Sequence, residues 1–255
     1  MDTGGAMWYN TRMRTDVLGV GFDDTTVAEA AKRAAEMIFR GERGYVVTPN
    51  PEIVWMCRKN AELKEAVNGA ALVLADGVGV TLGARILGRP LKARAPGIDF
   101  IEALFGLMSS EGGRVFLLGA KPGVAEAAAE NLRRRYPGLV VAGLRDGYFG
   151  VGDDVTGSIN AAAPDLLVVC LGAPKQELWM AENAPRLNAA LCVGLGGALD
   201  VFAGAVKRAP ALWRRLGLEW LYRLISNPGR LKRMSILPLY LLAVIRSGLG
   251  GGDGR

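Results

Sequence analysis

Two polar turns that follow predicted buried strands carry residue types that could do chemistry. The first turn, Thr48–Glu52, reads Thr-Pro-Asn-Pro-Glu, and the second places Asp76 after the apolar run Ala71–Ala75. In a parallel α/β sheet, ligands bind just beyond the carboxyl ends of the strands. A carboxylate there can act as a general base, and Thr48 and Asn50 could hydrogen-bond a polar substrate. The pattern predicts a site, although Asp76 and Asn50 could equally cap the helices that follow them.

Three further segments place polar side chains at comparable positions. Arg94 could clamp a phosphate or a sugar through its planar guanidinium, or it could be a solvated loop residue. Gln176 lies in the first turn of a predicted helix, where free amides can bind phosphate or sugar hydroxyls. Asp200 follows the glycine-rich run Gly194–Gly197 and could hydrogen-bond a base or ribose, or only cap a helix.

Several kinds of chemistry are disfavoured by what the chain lacks. It contains no histidine and no D-x-D pair, so we expect no metal site and a base other than histidine. The run Gly77-Val78-Gly79 has Leu82 where a dinucleotide-binding fingerprint needs its third glycine, and no phosphate-binding P-loop motif is present. We therefore expect no nicotinamide, flavin or other cofactor. The three cysteines, an odd number without short spacing, indicate buried thiols in a reducing cytoplasm.

Short apolar runs alternate with amphipathic helical stretches between residues 15 and 206. This alternation predicts an α/β fold with a mainly parallel, Rossmann-like sheet and helices on both faces. Residues 1–14 are expected to be a disordered N-terminus. The predicted strands are Val17–Val20, Tyr45–Thr48, Ala71–Ala75, Val115–Gly119, Leu139–Gly143, Leu166–Leu171 and Leu191–Leu195, and the predicted helices include Thr26–Arg40, Glu52–Val67, Val124–Arg135 and Gln176–Asn183.

Residues 207–255 have a different composition and are predicted to form a helical appendage. They contain ten basic and two acidic residues, a net charge of +8, whereas the rest of the chain carries −2. Basic residues mixed with Trp, Tyr and Leu favour binding to an anionic membrane surface. No nucleic-acid-binding motif accompanies the charge. The apolar run Ile236–Ile245 is about half the ~20 residues of a spanning helix. Whether it inserts in the membrane, packs on the core or is covered by self-association stays open.

Taken in order, the motifs resemble those of the WecG/TagA/CpsF family of glycosyltransferases. The resemblance covers roughly Thr15 to Arg233. It rests on the ordered motifs T-P-N-P-E at Thr48–Glu52, A-D-G-V-G at Ala75–Gly79, Arg94 before P-G-I-D at Pro96–Asp99, F-L-L-G at Phe116–Gly119, D-G-Y-F at Asp146–Phe149, G-A-P-K-Q-E at Gly172–Glu177, R-A-P-A-L-W at Arg208–Trp213 and L-E-W-L-Y-R-L at Leu218–Leu224.

The resemblance implies a GT-E type fold and a metal-independent, inverting transfer that forms a β-linkage. The expected donor is UDP-N-acetylmannosamine or a related UDP-hexose, and the expected acceptor is polyprenyl-diphosphate-linked N-acetylglucosamine. By position, Asp76 matches the proposed base of the family. Thr48, Asn50, Arg94 and Gln176 match residues of the pocket, and Arg223, Arg230 and Arg233 match arginines thought to meet the lipid diphosphate.

Other functions remain open from the sequence alone. A UDP-sugar hydrolase or epimerase would use a similar polar rim, and a non-catalytic membrane adaptor would need only the appendage. The expected location of a transferase of this kind is the cytoplasm, bound peripherally to the inner face of the cell membrane. The expected product is teichoic acid or another cell-surface polysaccharide.

Overall fold

The computed structural model of the chain describes residues 14–150, 152–226 and 235–250. The predicted disordered N-terminus falls outside the described residues except for Arg14. The strands are β1 (Thr15–Val17), β2 (Val20–Phe22), β3 (Gly44–Val47), β4 (Leu72–Val73), β5 (Arg114–Gly119), β6 (Val140–Arg145), β7 (Leu166–Cys170) and β8 (Leu191–Gly194).

The helices flank these strands and continue into the appendage. They are α1 (Val27–Phe39), α2 (Pro51–Cys57), α3 (Ala61–Asn68), α4 (Val78–Ile86), α5 (Gly97–Ser110), α6 (Val124–Arg135), α7 (Val155–Ala162), α8 (Lys175–Asn183), α9 (Ala198–Phe202), α10 (Ala211–Arg215), α11 (Glu219–Ser226) and α12 (Ile236–Gly250), with a 3-10 turn at Ala184–Arg186.

Six parallel strands form one sheet in the order β4-β3-β8-β7-β5-β6. Alternate strand residues pack into two separate apolar cores, one on each face of the sheet. Leu117 and Val168 belong to the core beneath α1, α5 and α6, whereas Leu118 and Val169 belong to the core beneath α3, α7 and α8. Strands buried on both faces explain the nearly continuous apolar runs in the sequence. The predicted α/β class and parallel sheet are confirmed.

Two predicted elements are wrong in their details. Val17–Val20 is not a strand of the parallel sheet, because Leu18 and Gly19 adopt positive φ angles of 55° and 86° and turn the chain into the antiparallel hairpin β1–β2. The predicted helix Glu52–Val67 is two helices, since α2 ends at Cys57 and Asn60 caps α3 by accepting a hydrogen bond from the Leu63 amide.

The described residues of the appendage are helical, and α12 packs on the core. Tyr240 is 2% exposed and Val244 is fully buried against the core face that includes α2 and α4. The Tyr240 hydroxyl donates a hydrogen bond to the Gly79 carbonyl at 3.2 Å. A Cβ atom at Gly83 would lie 2.4 Å from the Tyr240 oxygen, so glycine is required for this close approach. Within the described residues no helix is both long and apolar enough to cross a membrane.

Candidate active site

The two polar turns meet at the carboxyl edge of β3 and β4. The Asp76 amide donates a hydrogen bond to the Pro49 carbonyl at 3.2 Å, which joins the two turns directly. Gly77, at a φ of 97°, then starts α4 without any side-chain cap. The N-cap position of α4 therefore belongs to Gly77 and not to Asp76.

Gly79 allows the first turns of α2 and α4 to lie close together. A Cβ atom at Gly79 would lie 2.6 Å from Cγ of Pro51, so a larger residue would separate the two helices. Asn50 caps α2 by accepting a hydrogen bond from the Ile53 amide at 3.1 Å, as one of the two interpretations predicted. Pro51 occupies the first helical position, where its fixed φ suits the helix. This packing places Asn50 beside Asp76.

A cavity of about 420 Å³ lies over this edge, between the core and the appendage. Its lining includes the charged residues Asp76, Arg94 and Arg208 together with apolar side chains of α4, α11 and α12. A cavity with such a mixed lining can accept a ligand that has a charged and an apolar part. The lining residues are Asn50, Pro51, Glu52, Asp76, Gly77, Val78, Gly79, Leu82, Arg94, Pro96, Ile98, Arg208, Gly217, Glu219, Trp220, Leu237, Tyr240 and Leu241.

Arginines that line the cavity link the core to the appendage. Arg94 donates a hydrogen bond from Nη2 to the Arg214 carbonyl at 3.1 Å. Arg208 pairs with Asp99 and with Glu102, the latter at 3.4 Å, and among the described residues its buried Nε has no hydrogen-bond partner. Arg208 was absent from the predicted site residues. The R-A-P-A-L-W motif was the one sequence feature that pointed to Arg208. Its contact with the cavity could not be predicted, because that contact depends on how the appendage packs on the core.

Thr48 and Gln176 lie behind the cavity in a buried network. The Thr48 hydroxyl donates a hydrogen bond to the Gly194 carbonyl at 3.2 Å. The Gln176 side chain is buried beside Gly194, and its Oε1 accepts a hydrogen bond from the Gly196 amide at 2.8 Å. Both side chains therefore hold the loop after β8, and neither is among the described residues that line the cavity.

Glu177 completes this network from a fully buried position. Its Oε1 accepts a hydrogen bond from Gln176 Nε2 at 2.8 Å, whereas its Oε2 has no partner among the described residues. Burial raises the pKa of the Glu177 carboxyl above its ordinary value. The predicted site omitted Glu177, because an acidic residue in the first turn of a helix is usually exposed and favourable there.

The loops after β5, β7 and β8 form a second part of the rim. The chain leaves β5 toward β6 and leaves β7 toward β8, so the neighbouring strands β5 and β7 connect in opposite directions. Such a reversal opens a crevice beyond the strand ends where ligands bind in α/β proteins. Lys175 stands 4.7 Å from the centre of the Phe149 ring at this edge. Asp200, in the first turn of α9, lies near the crevice and not in the cavity lining.

The predicted lipid-diphosphate residues are only partly described. Arg223 belongs to α11, and Arg230 and Arg233 lie outside the described residues. The three cysteines are free and buried, as predicted. Within the described ranges, no three His, Cys, Asp or Glu side chains are arranged so that they could hold a metal ion.

Comparison with known proteins agrees with this architecture. Residues 15–253 match the model of the "Glycosyl transferase WecG/TagA/CpsF family". The chain belongs to this glycosyltransferase family. It is 38% identical over 202 residues to a Bacillus spizizenii (strain W23) protein, covering 79% of each chain. It is 34% identical over 237 residues to a Staphylococcus aureus (strain MW2) protein, covering 92% of this chain and 93% of the relative. Both relatives are named N-acetylglucosaminyldiphosphoundecaprenol N-acetyl-beta-D-mannosaminyltransferase.

Proposed function

We propose that this protein transfers N-acetylmannosamine, or a related hexose, from a UDP-sugar to polyprenyl-diphosphate-linked N-acetylglucosamine. The observation that carries the proposal is a cavity whose lining combines Asp76, the guanidinium groups of Arg94 and Arg208, and apolar side chains. A carboxylate beside cationic groups suits the acceptor hydroxyl and its diphosphate, and the apolar side chains suit a lipid. The names of the relatives include the same acceptor, which supports the proposal. The product would belong to teichoic acid or another surface polysaccharide.

The proposed reaction is a direct displacement at the anomeric carbon of the donor. Asp76 accepts the proton of the acceptor sugar hydroxyl while the hydroxyl oxygen forms a bond to the anomeric carbon. The bond from that carbon to the UDP oxygen breaks, and UDP leaves with the electron pair. One displacement inverts the anomeric carbon, so an α-linked donor gives a β-linked product.

Charge on the leaving diphosphate must be offset by groups other than Asp76. The crevice between β5 and β7 is the proposed donor site, with Asp200 as a hydrogen-bonding partner of the base or ribose. It lies on the same edge of the sheet as the cavity, because only β8 separates β3 from β7. Arginine guanidinium groups stabilise developing charge in water-excluded sites. We assign Arg94, Arg223, Arg230 and Arg233 to the phosphates of the two substrates.

The appendage is proposed to lie on an anionic membrane surface, where the acceptor lipid resides. Its net charge of +8 would attract anionic headgroups. Large apolar side chains point away from the core in its described helices, including Leu212, Leu216, Ile225, Leu239, Leu242 and Leu249, which are 49% to 80% exposed. The division into a catalytic core ending near Val206 and an appendage from Lys207 is part of the same proposal.

Acceptor-dependent release of UDP is the decisive test. The purified protein would be incubated with UDP-N-acetylmannosamine, with and without a lipid-diphosphate-linked N-acetylglucosamine, and UDP and glycolipid would be measured. We expect UDP and disaccharide lipid in equal amounts only when the acceptor is present. Equal UDP release without acceptor would indicate a hydrolase, a changed UDP-sugar without UDP release would indicate an epimerase, and no turnover would favour an adaptor. Each of these three results would refute the proposal.

A further inference from the structure

Apolar side chains of α4 and α12 line part of the cavity and mark the start of a groove between the two helices. Val78 and Leu82 form the α4 side of this part, and Leu237 and Leu241 form the α12 side. Val78 and Leu82 are 40% and 42% exposed although they lie beside buried structure. These four side chains define the start of what we call the α4–α12 groove.

The two helices run in the same direction, so the groove continues along both. Near the start of α4, Tyr240 bonds to Gly79, and near its end a Cβ atom at Gly248 would lie 3.4 Å from the Ile86 carbonyl. Residues four apart share one face of a helix. The next side chains along the walls are therefore Ile86 and Ile245, which are 37% and 38% exposed. The apolar strip leads from the cavity to the far end of α4.

We propose that the α4–α12 groove binds the isoprenoid chain of the lipid acceptor next to its diphosphate. This inference rests on the proposed function and adds a chain-binding subsite to it. Arg94 and Arg208 line the same cavity as the four apolar side chains that begin the groove. A ligand that contacts both groups of side chains would carry an anionic group at the end of an apolar chain, as an isoprenoid diphosphate does.

The groove differs from the outer surface of α12 proposed to lie on the membrane. Leu239 and Leu242 occupy the outer side of the helix and are 49% and 52% exposed. Leu241, one residue before Leu242, lines the cavity instead. The pair Leu241 and Leu242 therefore provides a matched test, because polar substitution of each removes a similar side chain from a different face of the same helix.

Binding of farnesyl diphosphate, compared with inorganic diphosphate, tests the groove without requiring turnover. We expect Leu82→Gln and Leu241→Gln each to weaken farnesyl diphosphate binding about 10-fold or more, since each leucine would lose apolar contact with the chain. Binding of inorganic diphosphate should stay as in the wild type. Leu242→Gln should leave both affinities unchanged. Isothermal calorimetry gives the affinities, and circular dichroism verifies the fold of each variant.

Three results would refute the proposed role of the groove. One is unchanged farnesyl diphosphate binding in both groove variants, and another is equal weakening by Leu242→Gln. The third is a loss of binding to acceptor-free phosphatidylglycerol vesicles by Leu82→Gln and Leu241→Gln that matches their loss of farnesyl diphosphate binding, which would indicate adsorption to the membrane. Wild-type protein that binds farnesyl diphosphate through the groove but transfers no sugar to any acceptor would refute the proposed function while retaining the groove.

Discussion

The two parts of the rim use the motif residues in different ways. At the ends of β3 and β4, Asp76 and Arg94 line an open cavity. At the ends of β7 and β8, Gln176 and Glu177 are 3% and 0% exposed and hold the loop that contains Gly196. Residues that share one family motif set can thus contact a ligand or position a loop. Substitution should separate the two roles, because the buried side chains of the second part hold a loop in place.

The largest expected effect is at Asp76, in the open part. Asp76→Asn removes the proposed base, and general base catalysis contributes about 10²- to 10⁴-fold to rate, so kcat should fall by that factor. Because asparagine has the size of aspartate and can cap a helix equally well, the free energy of unfolding should change by less than about 1 kcal/mol. Initial rates of acceptor-dependent UDP release and urea unfolding provide the two measurements.

Asp16→Asn is the matched control for Asp76→Asn. Asp16 lies on β1, where its Oδ1 accepts a hydrogen bond from the Gly19 amide at 3.2 Å, and asparagine can accept the same bond. Its rate should equal that of the wild type. A rate for Asp76→Asn within about threefold of the wild type would rule out Asp76 as the base, since removal of a base costs far more.

An intermediate effect is expected at Gln176, in the buried part. Gln176→Ala leaves the Gly196 amide and the Glu177 carboxyl without their partner, and an unsatisfied buried polar group costs about 1–3 kcal/mol. The free energy of unfolding should fall by that amount, and KM for the donor should rise because the loop after β8 is less well positioned. Urea unfolding and donor titrations test both expectations.

Glu182→Ala controls for the change in helix propensity. Glu182 lies on the same helix, and its side chain is 73% exposed. It should lose less than about 0.5 kcal/mol, as surface substitutions usually do. If Gln176→Ala lowered kcat with no loss of stability, Gln176 would resemble Asp76 and the contrast between the two parts of the rim would disappear.

The smallest effect is a pH dependence that arises from Glu177. Because its pKa is raised in the folded protein, the folded state binds the proton more tightly than the unfolded chain. This contribution to stability is fully present below the ordinary pKa of 4.5 and is lost as pH rises through the raised pKa. Within that interval the loss approaches about 1.4 kcal/mol per pH unit.

Glu177→Gln should remove this pH dependence, so its stability relative to the wild type should improve from pH 5 to pH 8. Urea unfolding at a series of pH values measures the difference. Glu182→Gln, at an exposed position of the same helix, should follow the wild-type curve. Parallel curves for Glu177→Gln and the wild type would show that the buried carboxyl does not titrate between these values.

Sequence patterns predicted the sheet well because its strands are buried on both faces. Burial on both faces makes β5 and β7 continuous apolar runs, and Gly and Pro mark their ends. The hairpin β1–β2 escaped prediction because its turn contains Leu18 at positive φ, where Gly, Asn or Asp would have provided the usual signal.

Cavity residues on local turns could be anticipated from the sequence, whereas those that long-range packing brings to the cavity could not. Asp76 and Asn50 directly follow strands, so the strand pattern located them. Arg208 and Tyr240 reach the cavity only because the appendage docks on the core. In the sequence, Glu177 has the position of a solvent-exposed acidic residue in the first turn of a helix. Its burial follows from the packing around α8.

The two glycines of α4 make the stability of this helix depend on its neighbours. Gly79 and Gly83 each cost about 1 kcal/mol of intrinsic helix stability relative to alanine, and α4 also lacks a side-chain cap. The same glycines admit Pro51 and Tyr240, so contacts from α2 and α12 replace the stability that the helix does not have by itself. The segment directly after Asp76 is therefore helical because of its neighbours, and α12 supports the edge of the sheet that carries Asp76.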